Sequence, residues 1–470
     1  MTDQHFNVVF IGGGSGGYVG AIRAAQLGMQ VAVIEKDKLG GTCLHRGCIP
    51  SKAYLESAHI FHQLHELAEF GLKADNVGYD FGQINTYREK VVTANWNGVK
   101  YLMNKNKITV LEGAGTVVGR GQVQVTGGDG SKQTVSADNL VVAVGTAPRT
   151  LGIPVDGKRV FTSDNVWDAQ EMPKSVIILG GGVIGVEFAS FYSAFGVEVT
   201  VVEMMGSLIP MMDAEAGKEL GRQFNKRGVK VLTNARALPD SVQSTENGVQ
   251  LQVEINGQEE TLHADQLLLA VAREAETTTR DLGLQNLGVQ MDRGYVAVGE
   301  NNRSSVADVY AVGDVAGGLM LAHKAYAEGI LVAESIAGKN HLKSIDMNRV
   351  PQPVFSFPQV AAIGLTEQQA RDSGADVEIG KFPFSANARA KIVNDAVGFA
   401  KVMADKKTGD ILGVTLVGPN VTELISEAAL GKFLESTPWE LAYNIHPHPT
   451  LSEAIGEAAH AAEGEGALHI

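Results

Sequence analysis

The chain has only two cysteines among 470 residues, and nowhere does it carry the run of about 18 apolar residues that a membrane-spanning helix needs. Two cysteines cannot build a disulfide scaffold. With His45 as the one nearby histidine they also fall short of the four or so ligands of a structural zinc site, so no metal is expected. The opening Met1-Thr2-Asp3-Gln4-His5 has neither the basic region nor the apolar run of an export leader, and a cytoplasmic protein is expected. Long low-complexity linkers are missing too. The turn-rich stretches are short, as in Thr126-Gly127-Gly128-Asp129-Gly130-Ser131, which suggests packed rather than tethered domains. Positive charge is scarce: the formal balance of -14 argues against nonspecific nucleic-acid binding and suits a basic partner surface.

What is abundant is glycine, 55 residues of it, as expected where backbone approaches a cofactor closely. The apolar run Asn7-Val8-Val9-Phe10-Ile11 reads as a buried strand. Gly12-Gly13-Gly14-Ser15-Gly16-Gly17 follows, then a helical pattern through Ala21, Ile22 and Ala25, and a second strand from Val31 that ends at Glu35. In that context Gly12 permits the tight turn, Gly14 lets a pyrophosphate approach, Gly17 lets helix and strand pack, and Glu35 can accept hydrogen bonds from a ribose diol. The arrangement recurs. Ser175-Val176-Ile177-Ile178-Leu179 leads into Gly180, Gly182 and Gly185, and a strand through Val199-Thr200-Val201-Val202 ends at Glu203. Two dinucleotide sites are therefore expected. Glu203 would repel a 2'-phosphate, and Met204-Met205-Gly206-Ser207 offers no arginine to hold one, which favours NAD over NADP at the second site.

Both cysteines lie just after the first of these units, in Gly41-Thr42-Cys43-Leu44-His45-Arg46-Gly47-Cys48-Ile49-Pro50-Ser51-Lys52. Read alone, they are either two small buried apolar side chains or a pair that exchanges electrons with a cofactor. A bridge between them would restrain the unfolded chain by only about 2 kcal/mol on the loop-entropy estimate, so its use would be chemical rather than structural.

Taken with both glycine motifs, the cysteine segment resembles that of the FAD-dependent pyridine nucleotide-disulfide oxidoreductases of class I, most closely those that oxidise dihydrolipoyl groups. The resemblance runs essentially end to end. It implies an α/β fold with two Rossmann-like dinucleotide-binding domains, for FAD and NAD, plus a C-terminal α+β dimerisation domain. The implied divisions are 1–148 for FAD and the redox disulfide, 149–277 for NAD, 278–349 for a central domain completing the FAD site, and 350–470 for the interface. Strand patterns near Val354 to Leu365 and Gly398 to Val417 belong to the last, where they read as alternating.

By the same resemblance Cys43 is the interchange sulfur and Cys48 the one facing the flavin. Ala311-Val312-Gly313-Asp314 matches the second FAD motif, with Asp314 on the ribityl chain, and Leu321-Ala322-His323-Lys324 begins a helix whose amides, Ala322 among them, face the flavin's pyrimidine end. Gly115 and Gly145 join the FAD set, and Val271 and Ala272 the NAD set. Lys52 and Glu187 match a pair set beside the flavin. His446-Pro447-His448-Pro449-Thr450-Leu451-Ser452-Glu453 looks like the acid-base motif, with His448 as base and Glu453 as its orienting partner, reaching the active site of the other subunit of a homodimer. The implied partners are lipoyl-bearing proteins of 2-oxo acid dehydrogenase complexes or of the glycine cleavage system, since no lipoyl segment precedes the first strand.

Val271-Ala272-Arg273-Glu274-Ala275-Glu276 departs from the family's Val-Gly-Arg-x-Pro-Asn, and a weaker NAD site or altered domain packing is the expected consequence. Thr146 and Ala388 also depart, at positions that supply no reacting group. Two alternatives stay open: another NAD(P)H-linked disulfide reductase of the glutathione-reductase kind, which would normally carry arginines after Val202, and a weakly active FAD-binding assembly subunit.

Overall fold

A computed structural model describes residues 4–470, which divide into two compact units. The first takes in residues up to Ala53, Asn85–Arg149 and Ala272–Ile345. Its sheet is built on five parallel strands in the order Thr109–Glu112, Val31–Glu35, Gln4–Ile11, Lys132–Val142, Val309–Ala311. The long strand Lys132–Val142 serves two neighbours. Its second half pairs with Val309–Ala311, and its first half pairs in antiparallel fashion with Gln122–Thr126, which in turn pairs with Ala114–Gly119. Val8, Val9, Phe10, Val33 and Ile34 are buried without the alternation of a half-exposed sheet, because helices cover the face of Val8, Phe10 and Val33 while the antiparallel strands with Val117, Val123 and Val125 cover the face of Val9 and Ile34. Helix Ser15–Gln26 packs on helix Ala322–Ile336 through small residues: a Cβ on Gly20 would come within 3.1 Å of the Gly329 carbonyl.

The second unit, Tyr54–Ile84, Thr150–Val271 and Asp346 onward, repeats the dinucleotide architecture. Five parallel strands run in the order Lys230–Leu232, Glu198–Val202, Ser175–Leu179, Gln266–Leu269, Val160–Thr162. An antiparallel meander, Ala235–Thr245, Gly248–Ile255 and Gln258–Ala264, is inserted before the fourth of these. From Gln352 the chain forms an antiparallel sheet in the order Gln352–Val354, Gln359–Gly364, Ile411–Gly418, Phe399–Asp405, Val377–Pro383. The last of its covering helices are Val421–Phe433, Pro438–Tyr443 and Glu453–Ala462.

The strands near Val354 and Gly398 were expected to alternate, and they do not. Phe399–Ala404 is buried at every position. One reason is Lys401, whose side chain is 1% exposed and pairs with Asp213 at 3.2 Å, Glu215 at 3.1 Å and Glu367 at 2.6 Å. A charged residue in a strand normally marks the solvent face, and here three carboxylates take the place of water. Among the described residues no helix is long and apolar enough to cross a membrane.

Candidate active site

The two glycine motifs form the same structure twice. Gly12 and Gly180 turn at φ 106° and 110°, in the left-handed region, and a Cβ on either would collide with a carbonyl of the neighbouring strand end, Ala143 or Ala270. A Cβ on Gly17 or Gly185 would overlap the carbonyl of the first glycine in its own motif, so the helix can pack only with hydrogen there. The middle glycines differ in kind. A Cβ on Gly182 would meet nothing within 4 Å, and one on Gly14 only Gly41 Cα at 3.9 Å. Both therefore face open space at a helix N-terminus, where amide donors and the helix dipole receive a phosphate, and the two loops fit FAD and NAD respectively.

The acidic residues are braced in parallel as well. Glu35 accepts the Gly13 amide at 2.7 Å and the Asp37 amide at 2.8 Å, while Glu203 accepts the Gly181 and Met205 amides, both at 2.7 Å. Each carboxylate thus ties the end of the second strand to the glycine loop. Burial raises the pKa of Glu35, against the lowering effect of the Gly13 amide.

Cys43 and Cys48 form a disulfide, with Cα atoms 4.7 Å apart. Cys43 sits in the short helix Gly41–His45, and Cys48 opens the long helix Cys48–His65. This segment is seated on the first glycine loop: the Gly40 amide donates to the Gly13 carbonyl at 2.8 Å, and a Cβ on Gly41 would stand 2.7 Å from Gly14 Cα. The dinucleotide loop and the disulfide segment are thus in direct backbone contact. Cys48 at a helix start is placed to be stabilised as a thiolate by the helix amides. Lys52 follows one turn later on the same helix and is half-buried.

Asp314 lies in the 3-10 turn Gly313–Ala316, after the short strand Val309–Ala311. The Thr146 hydroxyl donates to its carboxylate at 2.9 Å, and Arg273 holds Thr146 in turn through Nε to the hydroxyl at 3.1 Å and NH2 to the carbonyl at 2.7 Å. Gly145 is fixed alongside, its carbonyl accepting the Thr278 hydroxyl at 2.8 Å. The segment that departs from the family pattern thus has a definite structure. Arg273–Glu274 pairs with Ala147–Pro148, Ala275 is fully buried, and the Thr278 and Thr279 hydroxyls bond its carbonyl. Ala272 is exposed and belongs to the first unit, whereas Val271 ends a segment of the second.

Ala322 opens helix Ala322–Ile336, whose buried Lys324 and Glu328 had no role in the sequence reading. Lys324 donates to the Gly313 carbonyl at 3.3 Å and the Gly317 carbonyl at 2.6 Å, and Glu328 accepts the Gly313 amide at 2.7 Å. Their spacing of four, with opposite charges on one helix, was the available signal. Gly115, in strand Ala114–Gly119, lies within 3.4 Å of Ile11, Ile34 and Val123 by the same Cβ test, a packing position in the sheet.

In the second unit Glu187 is buried on helix Val183–Ala194, and its carboxylate accepts the Phe355 amide at 3.0 Å. His448 Nδ1 is 2.8 Å from Glu453, whose other oxygen accepts the Thr450 amide at 2.8 Å. Burial disfavours the Glu453 carboxylate, but the Thr450 amide and the His448 ring outweigh it and the pKa is lowered. Buried Asn387 steadies the loop by donating to the Thr450 carbonyl at 3.0 Å. A second pair lies beside the first: His446 Nε2 is 2.7 Å from Glu427, a bond that raises the His446 pKa. His446 is mostly buried, while His448 is 73% exposed and so free to meet a reactant through Nε2.

Comparison with known proteins agrees with this geometry. The pattern described as pyridine nucleotide-disulphide oxidoreductase matches residues 6–329, and that of the same family's dimerisation domain matches residues 350–459. The chain is 44% identical to a dihydrolipoyl dehydrogenase of Bacillus subtilis, over 99% of both chains, and 40% identical to the mitochondrial dihydrolipoyl dehydrogenase of Pisum sativum, over 96% of this chain and 90% of that one. Among solved structures it is similar to LpdA from Mycobacterium tuberculosis, with a TM-score of 0.89 and 30% identity over 97% of this chain and 99% of that one. It is also similar to the HOCl-induced flavoprotein disulfide reductase RclA from Escherichia coli, with a TM-score of 0.83 and 28% identity over 96% and 98%. Paired dinucleotide loops, a disulfide seated on the first of them and matches along almost the whole length lead to one conclusion: the chain belongs to the pyridine nucleotide-disulphide oxidoreductase family.

Proposed function

We propose that the chain is a dihydrolipoamide dehydrogenase, oxidising protein-bound dihydrolipoamide to lipoamide with NAD as acceptor. The observation that carries this reading is the disulfide Cys43–Cys48 built onto the loop of the first dinucleotide site. FAD belongs to that loop, with Glu35, Lys52, Gly145 and Asp314, and NAD to Gly180, Gly182, Gly185, Glu187, Glu203, Val271 and Ala272. Held there, FAD would supply the two-electron redox chemistry that links the reduced cysteines to NAD.

The chain's own residues do the sulfur chemistry. His448 keeps its Nδ1 proton on Glu453, so Nε2 is the atom that removes a proton from one substrate thiol. The thiolate attacks Cys43 Sγ, the Cys43–Cys48 bond breaks, and Cys48 leaves as a thiolate at the start of its helix. The second substrate thiol gives its proton to the departing Cys43 sulfur as it displaces it and closes the lipoyl disulfide, leaving one proton on His448, one on Cys43 and Cys48 as the thiolate. The substrate has then lost two electrons and two protons, and the cysteine pair has gained the two electrons.

Dimer formation is part of the reading, with His448 serving the cysteines of the other subunit. It is supported by exposed apolar side chains within the dimerisation region, among them Phe433, Leu434, Trp439, Tyr443 and Ile445, the last 94% exposed. On this reading the partners are lipoyl-bearing proteins of 2-oxo acid dehydrogenase complexes or the glycine cleavage system, and the proposed location is the cytoplasm. Assay of the purified flavoprotein with dihydrolipoamide tests it: NADH should form, NADP should be used poorly, and C48S should abolish turnover. Turnover that survives in C48S, or a preference for glutathione disulfide with NADPH, overturns it.

A further inference from the structure

Helix Glu453–Ala462 begins with the carboxylate that orients His448, and one turn later on the same face it carries Glu457. Glu457 is 11% exposed and does not point to solvent. It accepts three hydrogen bonds from the segment that follows the helix: the Leu468 amide at 2.6 Å, the His469 amide at 3.2 Å and His469 Nδ1 at 2.6 Å. The chain leaves the helix at Glu463, turns through Gly464 and Gly466, both in the left-handed region, and comes back along the helix to reach Glu457. The return is also held by Ala467, packed against the apolar core, and by Glu465 at 3.5 Å from His460, while Leu468, His469 and Ile470 are exposed.

We propose that His469 is a positioning residue for the acid-base pair: by gripping Glu457, the returning segment fixes the first turns of the helix and so sets Glu453 against His448. The inference rests on the reading of His448 as the base. It adds a residue that lies 21 positions from His448 and outside the motif that marks it. The His469 ring is more basic than an ordinary histidine, first because of its bond to Glu457 and also because of the charge on Glu453, so on the acidic side of the ordinary histidine value it is a cation. Other charged and titratable groups around this helix include His448 and His446 from the preceding loop, Glu427 from helix Val421–Phe433, Tyr443 from helix Pro438–Tyr443, whose ring centroid is 5.3 Å from that of His460, and His460, Glu463 and Glu465 at its far end. None of these bonds Glu457; His460 on the helix comes within 3.5 Å of Glu465 in the returning segment, and His469 is the ring that grips Glu457 itself.

The test uses the FAD-loaded dimer and three variants. H469A removes both the ring donor and the charge, H469N keeps an N–H donor without charge, and H448Q removes the base itself. For H469A, kcat with dihydrolipoamide should fall about three- to tenfold, less than for a residue in direct contact with the base, while KM stays within about twofold. H469N should recover most of kcat. Its acidic pH limb should move upward by about half a unit, because the cation that opposed protonation of the base is gone, and the move should shrink in high salt. Flavin content and thermal unfolding, measured on each variant, separate positioning from stability. The inference falls if H469A keeps the wild-type kcat and pH profile, or if H469A and H469N lose rate equally and in step with unfolding. If H448Q itself turns over at the wild-type rate, the acid-base reading has failed instead.

Discussion

Lys324 and Glu328 face each other at 3.1 Å across one helical turn, with side chains 1% and 4% exposed, and together they hold the turn that carries Asp314. Burial pushes the Glu328 carboxyl up, while the Lys324 charge and the Gly313 amide pull it down. Removing one partner strands the other charge in the core, so K324M or E328Q should destabilise the fold by roughly 3–5 kcal/mol and release flavin. The double variant K324M/E328M should recover much of the stability, because no lone charge remains, but not the hold on the Gly313–Ala316 turn. Thermal unfolding and flavin content, measured together, check both parts.

Gly182 and Gly185 separate ligand space from packing space within one motif. G182A places its methyl where no protein atom lies within 4 Å, so the chain should fold and bind FAD normally while its KM for NAD rises about tenfold or more. G185A drives a methyl into the Gly180 carbonyl and should instead yield unstable protein. Steady-state kinetics and unfolding curves of the two variants decide whether the loop is a nucleotide cradle. An unchanged KM in G182A would count against it.

How much of this was legible beforehand depends on what kind of fact each residue carries. The paired motifs could be read because a turn, a close approach and an open position each demand glycine, and because strand, loop, helix and strand fix the distance from Gly12 to Glu35 and from Gly180 to Glu203 at the same 23 residues. Cys43, Cys48 and His448 carry reactive groups that few other residues could replace. Lys324, Glu328 and Lys401 could not be read in the same way. A charged residue in a pattern looks solvated, and only the folded chain shows that carbonyls and carboxylates have replaced the water. Arg273 was visible but without a partner in the sequence. Its hold on Thr146 depends on the loop pairing of Ala147–Pro148 with Arg273–Glu274, which no local signal encodes.

His446 gives a pH-dependent prediction. Its folded pKa is raised above the ordinary histidine value by the Glu427 bond, so the folded state binds its proton more tightly than the unfolded chain. The stabilisation is fully present below pH about 6.5 and is lost as pH rises through the raised folded value. Urea unfolding of wild type and H446Q should show a stability gap at pH 6 that narrows by pH 9. A gap that widened with pH would mean that the pair is not charged in the way this geometry implies.

If His448 of one subunit serves the cysteines of the other, C48S and H448Q should each be inactive and should complement one another. Random exchange makes half of the dimers mixed, and each mixed dimer regains one of its two sites, so about a quarter of wild-type activity should return. Activity that stays at the level of the separate variants after verified exchange would place base and cysteines on the same chain.

The most direct test of the central claim is an anaerobic titration of the purified flavoprotein with dihydrolipoamide, followed by NAD. A long-wavelength charge-transfer band should grow in with about two electrons per site, be absent in C48S, and disappear as NADH forms. The account is contradicted if no band develops, because Cys48 would then not be the sulfur that faces the flavin. A band that NAD leaves untouched would contradict the assignment of Gly180, Gly182, Gly185 and Glu203 to a working NAD site.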